Sequence, residues 1–167
     1  ADWQDKRERV GEVLGKHSLK MRRFLQDHPE YAGGTVGAAA VDADGVLAAA
    51  TSTGGVTMKL VGRVGDSPIA GAGNYASRYV AASATGTGEY VMRSLAARAV
   101  SEKVARGATL DNAMKEVLAE LASDYQADVG MIAVDSAGTP VARHLTRDMP
   151  HASFAGEGAV VSQMRVA

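Results

Sequence analysis

The 167 residues of this chain carry a formal net charge of −1 at pH 7, include no cysteine, and are 46% hydrophobic and 22% charged. This composition indicates one globular domain and excludes disulfides, thiol nucleophiles and cysteine-based metal sites. The near-zero charge predicts no partnership with nucleic acid or a membrane surface, and no apolar run approaches the ~20 residues of a membrane span. A cytoplasmic protein is therefore the expectation.

The first part of the chain has apolar residues at helical spacing between charged ones. This pattern predicts an amphipathic helix over residues 3–27, followed by a linker over residues 28–34. We treat residues 1–34 as a separate N-terminal part and residues 35–167 as the main domain.

A β-hairpin is predicted next. Two runs of small apolar residues, 35–42 and 46–52, flank an Asp-Ala-Asp-Gly turn at Asp42–Gly45. The Asp-Gly pair favours the positive φ that short hairpin turns need. Because both runs are almost wholly apolar, we expect both faces of these strands to be covered.

The remaining elements are predicted with less regular spacing between them. From Thr53 to Ser77, glycines interrupt any regular spacing of apolar residues, which indicates a loop region. A strand is then predicted over residues 80–84, helices over residues 89–106 and 110–122, and a hairpin over residues 129–134 and 141–145. At most one further strand is predicted in the last twenty residues. Strands interleaved with helices in this order predict an α+β or layered α/β domain.

Thr35 is the candidate nucleophile, because it opens the first strand directly after two glycines. A threonine hydroxyl needs a base, and a threonine at the start of a chain can use its own α-amine, whose pKa is roughly 7.7–8.0. Gly33 and Gly34 would make the preceding peptide bond accessible for the cleavage that frees this amine. Taken alone, Thr35 is better explained as the ordinary first residue of a strand.

Three other segments carry side chains suited to the same chemistry. Thr51-Ser52-Thr53 ends the partner strand, so its hydroxyls can lie beside Thr35. Arg63 and Asp66 could hold the two charged ends of an α-amino acid, although a surface ion pair is the simpler alternative. Thr85–Gly88 lies at a strand-to-helix transition, where backbone amides can stabilise an oxyanion or merely begin a helix.

Together these segments resemble the β-subunit of plant-type L-asparaginases, also called isoaspartyl peptidases. That family consists of N-terminal-nucleophile hydrolases. The resemblance covers Thr35 to about Met149 and rests on five segments in family order and spacing: Gly34–Gly37, Ala48–Gly55, Gly62–Ile69, Gly71–Ala76 and Ala84–Glu89. It implies an autoprocessing amidohydrolase that cleaves L-asparagine, β-aspartyl dipeptides or both. A glycosylasparaginase, on the same scaffold, is an alternative.

The resemblance assigns the catalytic roles residue by residue. Thr35 would be the nucleophile both for autocleavage of the Gly34–Thr35 bond and for hydrolysis. Thr53 would support its hydroxyl and amine. Thr85 and Gly86 would stabilise the oxyanion.

The resemblance also assigns the substrate contacts and the fold. Arg63 would bind the substrate α-carboxylate and Asp66 its α-ammonium, while Gly86 and Gly88 would shape the pocket. The implied fold is an αββα layered sandwich, and no cofactor is expected. The histidines are scattered without metal-ligand spacing, so no metal site is predicted; His151 could tune specificity at the pocket rim.

One departure from the family concerns the residues before Thr35. Family precursors carry an α-subunit of well over a hundred residues there, whereas this chain has 34. Residues 1–34 would correspond to the end of that part, with the rest largely missing. The alternative function is therefore an uncleaved or incomplete subunit that is inactive alone. Its expected partners are a small-molecule substrate and other subunits, in a homo- or hetero-oligomer that could include an α-subunit chain.

Overall fold

A computed structural model describes residues 23, 26–28, 33–57, 59–156 and 158–164. The helix predicted over residues 3–27 lies almost wholly outside the described residues, and of its members Arg23, Gln26 and Asp27 are described as helical. The chain divides into two compact units. The first holds the residues up to Gly34 together with Gly54–Arg63, and the second holds Thr35–Thr53 and Val64–Ala167.

Successive tight turns build the described part of the first unit. The Lys59 amide donates to the Val56 carbonyl and the Arg63 amide to the Leu60 carbonyl, each at 3.1 Å. The Gly33 amide donates to Thr57 Oγ1 at 3.3 Å. These bonds place Arg63 at the end of a turn, with its side chain partly buried.

From residue 33 onwards, the described residues form eight strands and three helices. The strands are β1 (Gly34–Val41), β2 (Leu47–Gly55), β3 (Asn74–Ala76), β4 (Val80–Gly86), β5 (Val129–Asp135), β6 (Pro140–His144), β7 (His151–Ser153) and β8 (Val161–Gln163). The helices are α1 (Gly88–Ser94), α2 (Ala96–Ala105) and α3 (Leu110–Tyr125). Strands β3-β4-β5-β6 make an antiparallel sheet, while β1–β2 and β7–β8 make separate two-stranded sheets.

The predicted β1–β2 hairpin is confirmed, and its turn is held by Asp42. Asp42 Oδ1 accepts hydrogen bonds from the amides of Asp44 at 2.9 Å and Val46 at 2.8 Å. Gly45 has φ of 80°, as the Asp-Gly turn requires. The expectation that both faces are covered is wrong for the described residues, since Val36 is 72% exposed. Alternate residues of a strand face opposite ways, and only the Thr35 and Gly37 side meets another sheet.

The core lies on one face of the four-stranded sheet, against the helices. Every second residue of β4 and β5 points into it, and the helices contribute Val91, Val100, Met114, Val117 and Leu121. The sheet residues are Val80, Ala82, Ala84, Val129, Met131 and Ala133. Because side chains alternate along a strand, Ser83, Thr85 and Ile132 belong to the opposite face, which is the face that β1 approaches.

The single helix predicted over residues 89–106 is wrong, because the chain breaks it into α1 and α2. Leu95 between them adopts a left-handed conformation with φ of 47°. The break lets the first amides of α2 bond outside the helix: Ala97 donates to the Ala72 carbonyl at 3.2 Å and Arg98 to the Gly71 carbonyl at 2.9 Å. The spacing of apolar residues in the sequence does not indicate hydrogen bonds to distant segments.

The second predicted helix is confirmed as α3, and it extends beyond its expected end to Tyr125. The Thr109 side chain accepts a hydrogen bond from the Asn112 amide at 3.3 Å, as expected of an N-cap residue. The hairpin predicted after it is confirmed as β5 and β6.

Two expectations fail: the region from Thr53 to Ser77 includes β3, and the last twenty residues include two paired strands, β7 and β8.

Asp111 attaches α3 to β6, and this contact predicts a pH dependence of stability. Hydrogen bonds from Lys115 first and from Arg143 second hold the pKa of Asp111 below its ordinary range. The Lys115 ammonium lies 2.6 Å from Oδ2 and the Arg143 guanidinium 2.6 Å from Oδ1. A depressed folded-state pKa stabilises the fold above the ordinary carboxyl range, near pH ~4, and this stabilisation is lost as the pH falls through the folded value.

We therefore expect Asp111→Asn to lower the free energy of unfolding at pH 7 by about 1 kcal/mol or less, because the carboxylate is 34% exposed and water screens it. The difference should shrink towards zero as the pH falls through the lowered pKa of the native carboxyl, which then also becomes neutral. Urea unfolding of both proteins over a pH series from 7 downwards measures this. A difference that stays constant over the series would contradict the assignment to charge.

Candidate active site

Two threonine hydroxyls meet where the β1–β2 hairpin begins and ends. Thr35 Oγ1 on β1 lies 3.0 Å from Thr53 Oγ1 on β2, within hydrogen-bond distance. The hairpin brings them together because Thr35 opens one strand and Thr53 lies near the end of its partner. Either hydroxyl can be the donor, so Thr53 can donate a hydrogen bond to the Thr35 oxygen or accept one from it.

A second hydroxyl pair joins the hairpin to the four-stranded sheet. Thr51 Oγ1 donates to the Gly73 carbonyl at 3.0 Å, and Ser83 Oγ lies 2.7 Å from the same Thr51 oxygen. Because the Thr51 hydrogen is used on Gly73, Ser83 must donate to Thr51. Ser83 is only 4% exposed. A Cβ on Gly37 of β1 would overlap Ser83 Oγ, so glycine is required for this close approach.

Removing the Thr51 hydroxyl is expected to be costly. Thr51→Val keeps the shape but leaves the buried Ser83 hydroxyl without its acceptor, which should lower the free energy of unfolding by about 1–3 kcal/mol. Ser83→Ala leaves Thr51 bonded to Gly73 and should cost less. Thermal or urea unfolding of both variants measures the order.

The control for this pair is Ser123→Ala, which removes an exposed hydroxyl on α3 and should change stability by less than about 0.5 kcal/mol. A larger loss for Ser83→Ala than for Thr51→Val would contradict the assigned direction of the hydrogen bonds.

At Gly86, between the end of β4 and the start of α1, the backbone passes very close to Asp128 and Val129. Its φ is 133°, and a Cβ there would overlap the Asp128 carbonyl oxygen and lie 2.7 Å from Val129 Cα. The Thr87 amide donates to the same Asp128 carbonyl at 2.9 Å. Thr87 is the N-cap position of α1, but its side chain makes no capping hydrogen bond. Only glycine fits between the end of β4 and Asp128.

A cavity of about 350 Å³ opens beside Thr35. Thr35 and Gly37 of β1 line it together with Ser83 and Thr85 of β4. Its remaining walls come from β5 and from the segment around β7, namely Gly130, Met131, Ile132, Met149, Pro150, His151 and Ala152, with Val36 and Ala84 at its edges. The candidate nucleophile and one candidate oxyanion residue therefore share one hollow.

The two charged candidates fall in different units. Arg63 belongs to the first unit. Asp66, in the second unit, is only 6% exposed, and its backbone carbonyl accepts hydrogen bonds from the amides of Ile69 and Gly73, each at 3.0 Å. These two bonds fix the backbone of the loop at Asp66. Within the described ranges, no three His, Asp or Glu side chains come together as metal ligands would.

The structure thus brings Thr35, Thr53 and Thr85 together, whereas Asp66, Gly86 and Gly88 do not line the Thr35 cavity. Sequence reasoning missed Ser83, which lies in an apolar strand where nothing distinguishes it from a neutral surface serine. His151, expected at the pocket rim, lines this cavity together with Met149 and Pro150. Among the described residues, no helix has both the length and the apolar character needed to cross a bilayer.

Comparison with known proteins matches the chain to one family. The model of the family described as "Asparaginase" matches residues 1–162. A plant-type L-asparaginase of Pyrococcus abyssi is 40% identical over 159 residues, which cover 93% of this chain and 51% of that protein.

Two further relatives agree with this match. An isoaspartyl peptidase of Escherichia coli is 47% identical over 127 residues, covering 74% of this chain and 40% of the relative. An isoaspartyl peptidase/L-asparaginase of Rattus norvegicus is 41% identical over 147 residues, covering 87% of this chain and 44% of the relative. The chain therefore spans about half the length of these relatives, or less.

Proposed function

The chain belongs to the asparaginase family, and from this premise we propose that the complete protein is an autoprocessing amidohydrolase acting on L-asparagine, β-aspartyl dipeptides or both. The observation that carries the proposal is the position of Thr35. Its hydroxyl lies 3.0 Å from that of Thr53 and opens onto the cavity that Thr85 also lines. The relatives named as asparaginases and isoaspartyl peptidases support the same substrate class.

The first step would be cleavage of the Gly34–Thr35 bond. Thr35 Oγ1 attacks the Gly34 carbonyl carbon, the C–N bond breaks, and an ester forms while the α-nitrogen becomes a free amine. Water then hydrolyses the ester and leaves a Gly34 carboxylate. Gly34 favours this step because no atom of the described residues lies within 4 Å of the position a Cβ would take, so the peptide is approachable.

Hydrolysis would then use the amine that cleavage frees. The α-amine of Thr35 takes the proton from Oγ1, which attacks the side-chain carbonyl of the substrate. Thr53 orients the Thr35 hydroxyl, and Thr85 and Gly86 donate hydrogen bonds to the oxyanion. Ammonia or an amino acid leaves, and water attacks the β-aspartyl ester to release aspartate and restore Oγ1–H.

The aspartyl end of the substrate would be held by opposite charges. Arg63 takes the α-carboxylate, because a guanidinium can donate two parallel hydrogen bonds to it. Asp66 takes the α-ammonium. Gly86 and Gly88 would shape the pocket around the substrate.

A second candidate is a subunit that is inactive until another polypeptide completes it. The observation that favours it is the exposure of apolar residues in the β1–β2 hairpin, where Val36 on β1 is 72% and Val46 in the turn is 63% exposed. Small apolar strands of this kind usually lie beneath another layer. The partner would then be an α-subunit chain or a further copy in an oligomer.

Intact-mass measurement of the complete gene product, followed by assays with asparagine and a β-aspartyl dipeptide, tests the proposal. A fragment beginning at Thr35 together with release of ammonia or amino acid is the expected result. An uncut chain without turnover, which becomes active only when a second chain is added, would favour the incomplete-subunit function instead.

A further inference from the structure

Thr35 on β1, Thr53 on β2 and Thr85 on β4 each have a small residue two positions away on the same strand. These neighbours are Gly37, Thr51 and Ser83. Because side chains alternate along a strand, residues two apart share a face and lie roughly 6–7 Å from each other. The three neighbours therefore form a second layer directly beside the layer of candidate catalytic threonines.

Contacts within this second layer hold the β1–β2 hairpin against the four-stranded sheet. Thr51 Oγ1 on β2 lies 2.7 Å from Ser83 Oγ on β4, and a Cβ on Gly37 of β1 would overlap that same Ser83 oxygen. Both strands of the hairpin thus contact one buried side chain of β4, and all three residues belong to the second unit. The position of the hairpin on β4 is therefore fixed at Ser83, two residues from Thr85.

The direction of the hydrogen bonds limits what Ser83 can do. The Thr51 hydroxyl donates to the Gly73 carbonyl at 3.0 Å, so Ser83 must donate its own hydrogen to Thr51. Ser83 lines the Thr35 cavity, but a hydroxyl has one hydrogen and this one is already used on Thr51. Holding two strands together therefore fits Ser83 better than transferring a proton to a substrate.

Gly73, which accepts the hydrogen bond from Thr51, also connects this pair to the loop that carries Asp66. The Gly73 amide donates to the Asp66 carbonyl at 3.0 Å, and the Gly73 carbonyl also accepts from the Ala84 amide at 2.8 Å. Neither backbone bond uses the Thr51 side chain, so both remain when its hydroxyl is removed. Loss of that hydroxyl should release the hairpin from β4 without releasing the Asp66 loop.

We propose that Thr51 and Ser83 are positioning residues, whose hydrogen bond fixes the hairpin on β4 and so holds the Thr35 nucleophile at the working distance from Thr85. This inference rests on the proposed function, which uses Thr85 at the oxyanion. It assigns neither Thr51 nor Ser83 a part in bond making or proton transfer. A displacement of about 1 Å between reacting groups lowers a rate by about 100-fold, so a small shift of the hairpin would be measurable.

The test measures kcat and KM of the complete protein with asparagine and a β-aspartyl dipeptide, per cleaved chain as counted by intact mass. We expect Thr51→Val to lower kcat by roughly 10–100-fold and to change KM by less than about threefold, because the Asp66 loop keeps its bonds. Thr51→Ser keeps the hydroxyl and should retain kcat within about threefold. Ser83→Ala removes the same hydrogen bond from the other side, and it should lower kcat by at least about threefold with a similarly small change in KM.

The matched control is Ser101→Ala. Ser101 on α2 is 3% exposed and its Oγ lies 2.7 Å from Ser77 Oγ, so it too belongs to a buried hydroxyl pair, but it does not line the Thr35 cavity. This variant should lower Tm and leave kcat unchanged.

Three results would overturn the inference while leaving the proposed function standing: an unchanged kcat in Ser83→Ala, a fall in kcat of the same size in Ser101→Ala, or an equal loss in Thr51→Ser and Thr51→Val. If Thr51→Val does not fold or is not cleaved, Ser83→Ala against Ser101→Ala decides. Absence of turnover by the unsubstituted protein would instead overturn the proposed function, and the inference with it.

Discussion

Thr35→Ala is expected to abolish both the cleavage after Gly34 and the hydrolysis of asparagine and β-aspartyl dipeptides. Both steps of the proposed mechanism use Thr35 Oγ1 as the nucleophile. Thr53 Oγ1, although 3.0 Å away, belongs to a residue within the chain that can never acquire a free α-amine. Loss of a covalent nucleophile lowers the rate by about 10⁴-fold or more. Intact-mass analysis and an ammonia-release assay measure the two losses separately.

Thr35→Ser is the control for this substitution. Serine keeps the hydroxyl and, after cleavage, the α-amine, so slower cleavage and measurable turnover are expected. Ammonia release by Thr35→Ala near the unsubstituted rate would refute the threonine mechanism. Loss of activity in both variants with the fold intact would show that the threonine methyl group is needed to position the hydroxyl.

Gly86→Ala should have the second largest effect, on stability as well as on activity. A Cβ would overlap the Asp128 carbonyl oxygen, lie 2.7 Å from Val129 Cα, and sit on a backbone with φ of 133°. Both obstacles are backbone atoms, of Asp128 and of Val129 at the start of β5, and backbone cannot move aside as a flexible side chain could. We expect a loss of at least about 3 kcal/mol in the free energy of unfolding, or a fall in Tm of roughly 6–12 °C.

Gly107→Ala separates backbone strain from overlap. Gly107 also has positive φ, 100°, but no atom lies within 4 Å of its potential Cβ. It should cost only about 1 kcal/mol and leave activity unchanged. Scanning calorimetry of the two variants distinguishes these cases, and a similar Tm for both would disprove the close approach at Gly86.

The hairpin that carries Thr35 could be predicted from the sequence because its determinants are local. The Asp-Gly pair at the turn and the apolar runs on either side specify two strands whatever the rest of the chain does. For the same reason the cap of α3 could be predicted from Thr109. Thr35 and Thr53 could be paired because the hairpin alone brings them together.

The rest could not be predicted, because it depends on contacts between distant segments. The break at Leu95 follows from amides that bond to Gly71 and Ala72 rather than to their own helix. Ser83 acquires its role from Thr51, 32 positions away. Whether Val36 is exposed depends on which other sheets or helices pack over β1, and the hydropathy of the sequence does not show this.

The junction at Leu95 also has a consequence for how parts of the molecule open. The first amides of a helix normally face solvent and exchange their hydrogens for deuterium quickly. Those of Ala97 and Arg98 instead bond to the carbonyls of Ala72 and Gly71. Deuterium can enter these amides only when the loop containing Gly71 and Ala72 separates from α2, so both amides should exchange at the rate of that joint opening. This loop, which also contacts Asp66, should therefore open as slowly as the core helix α2.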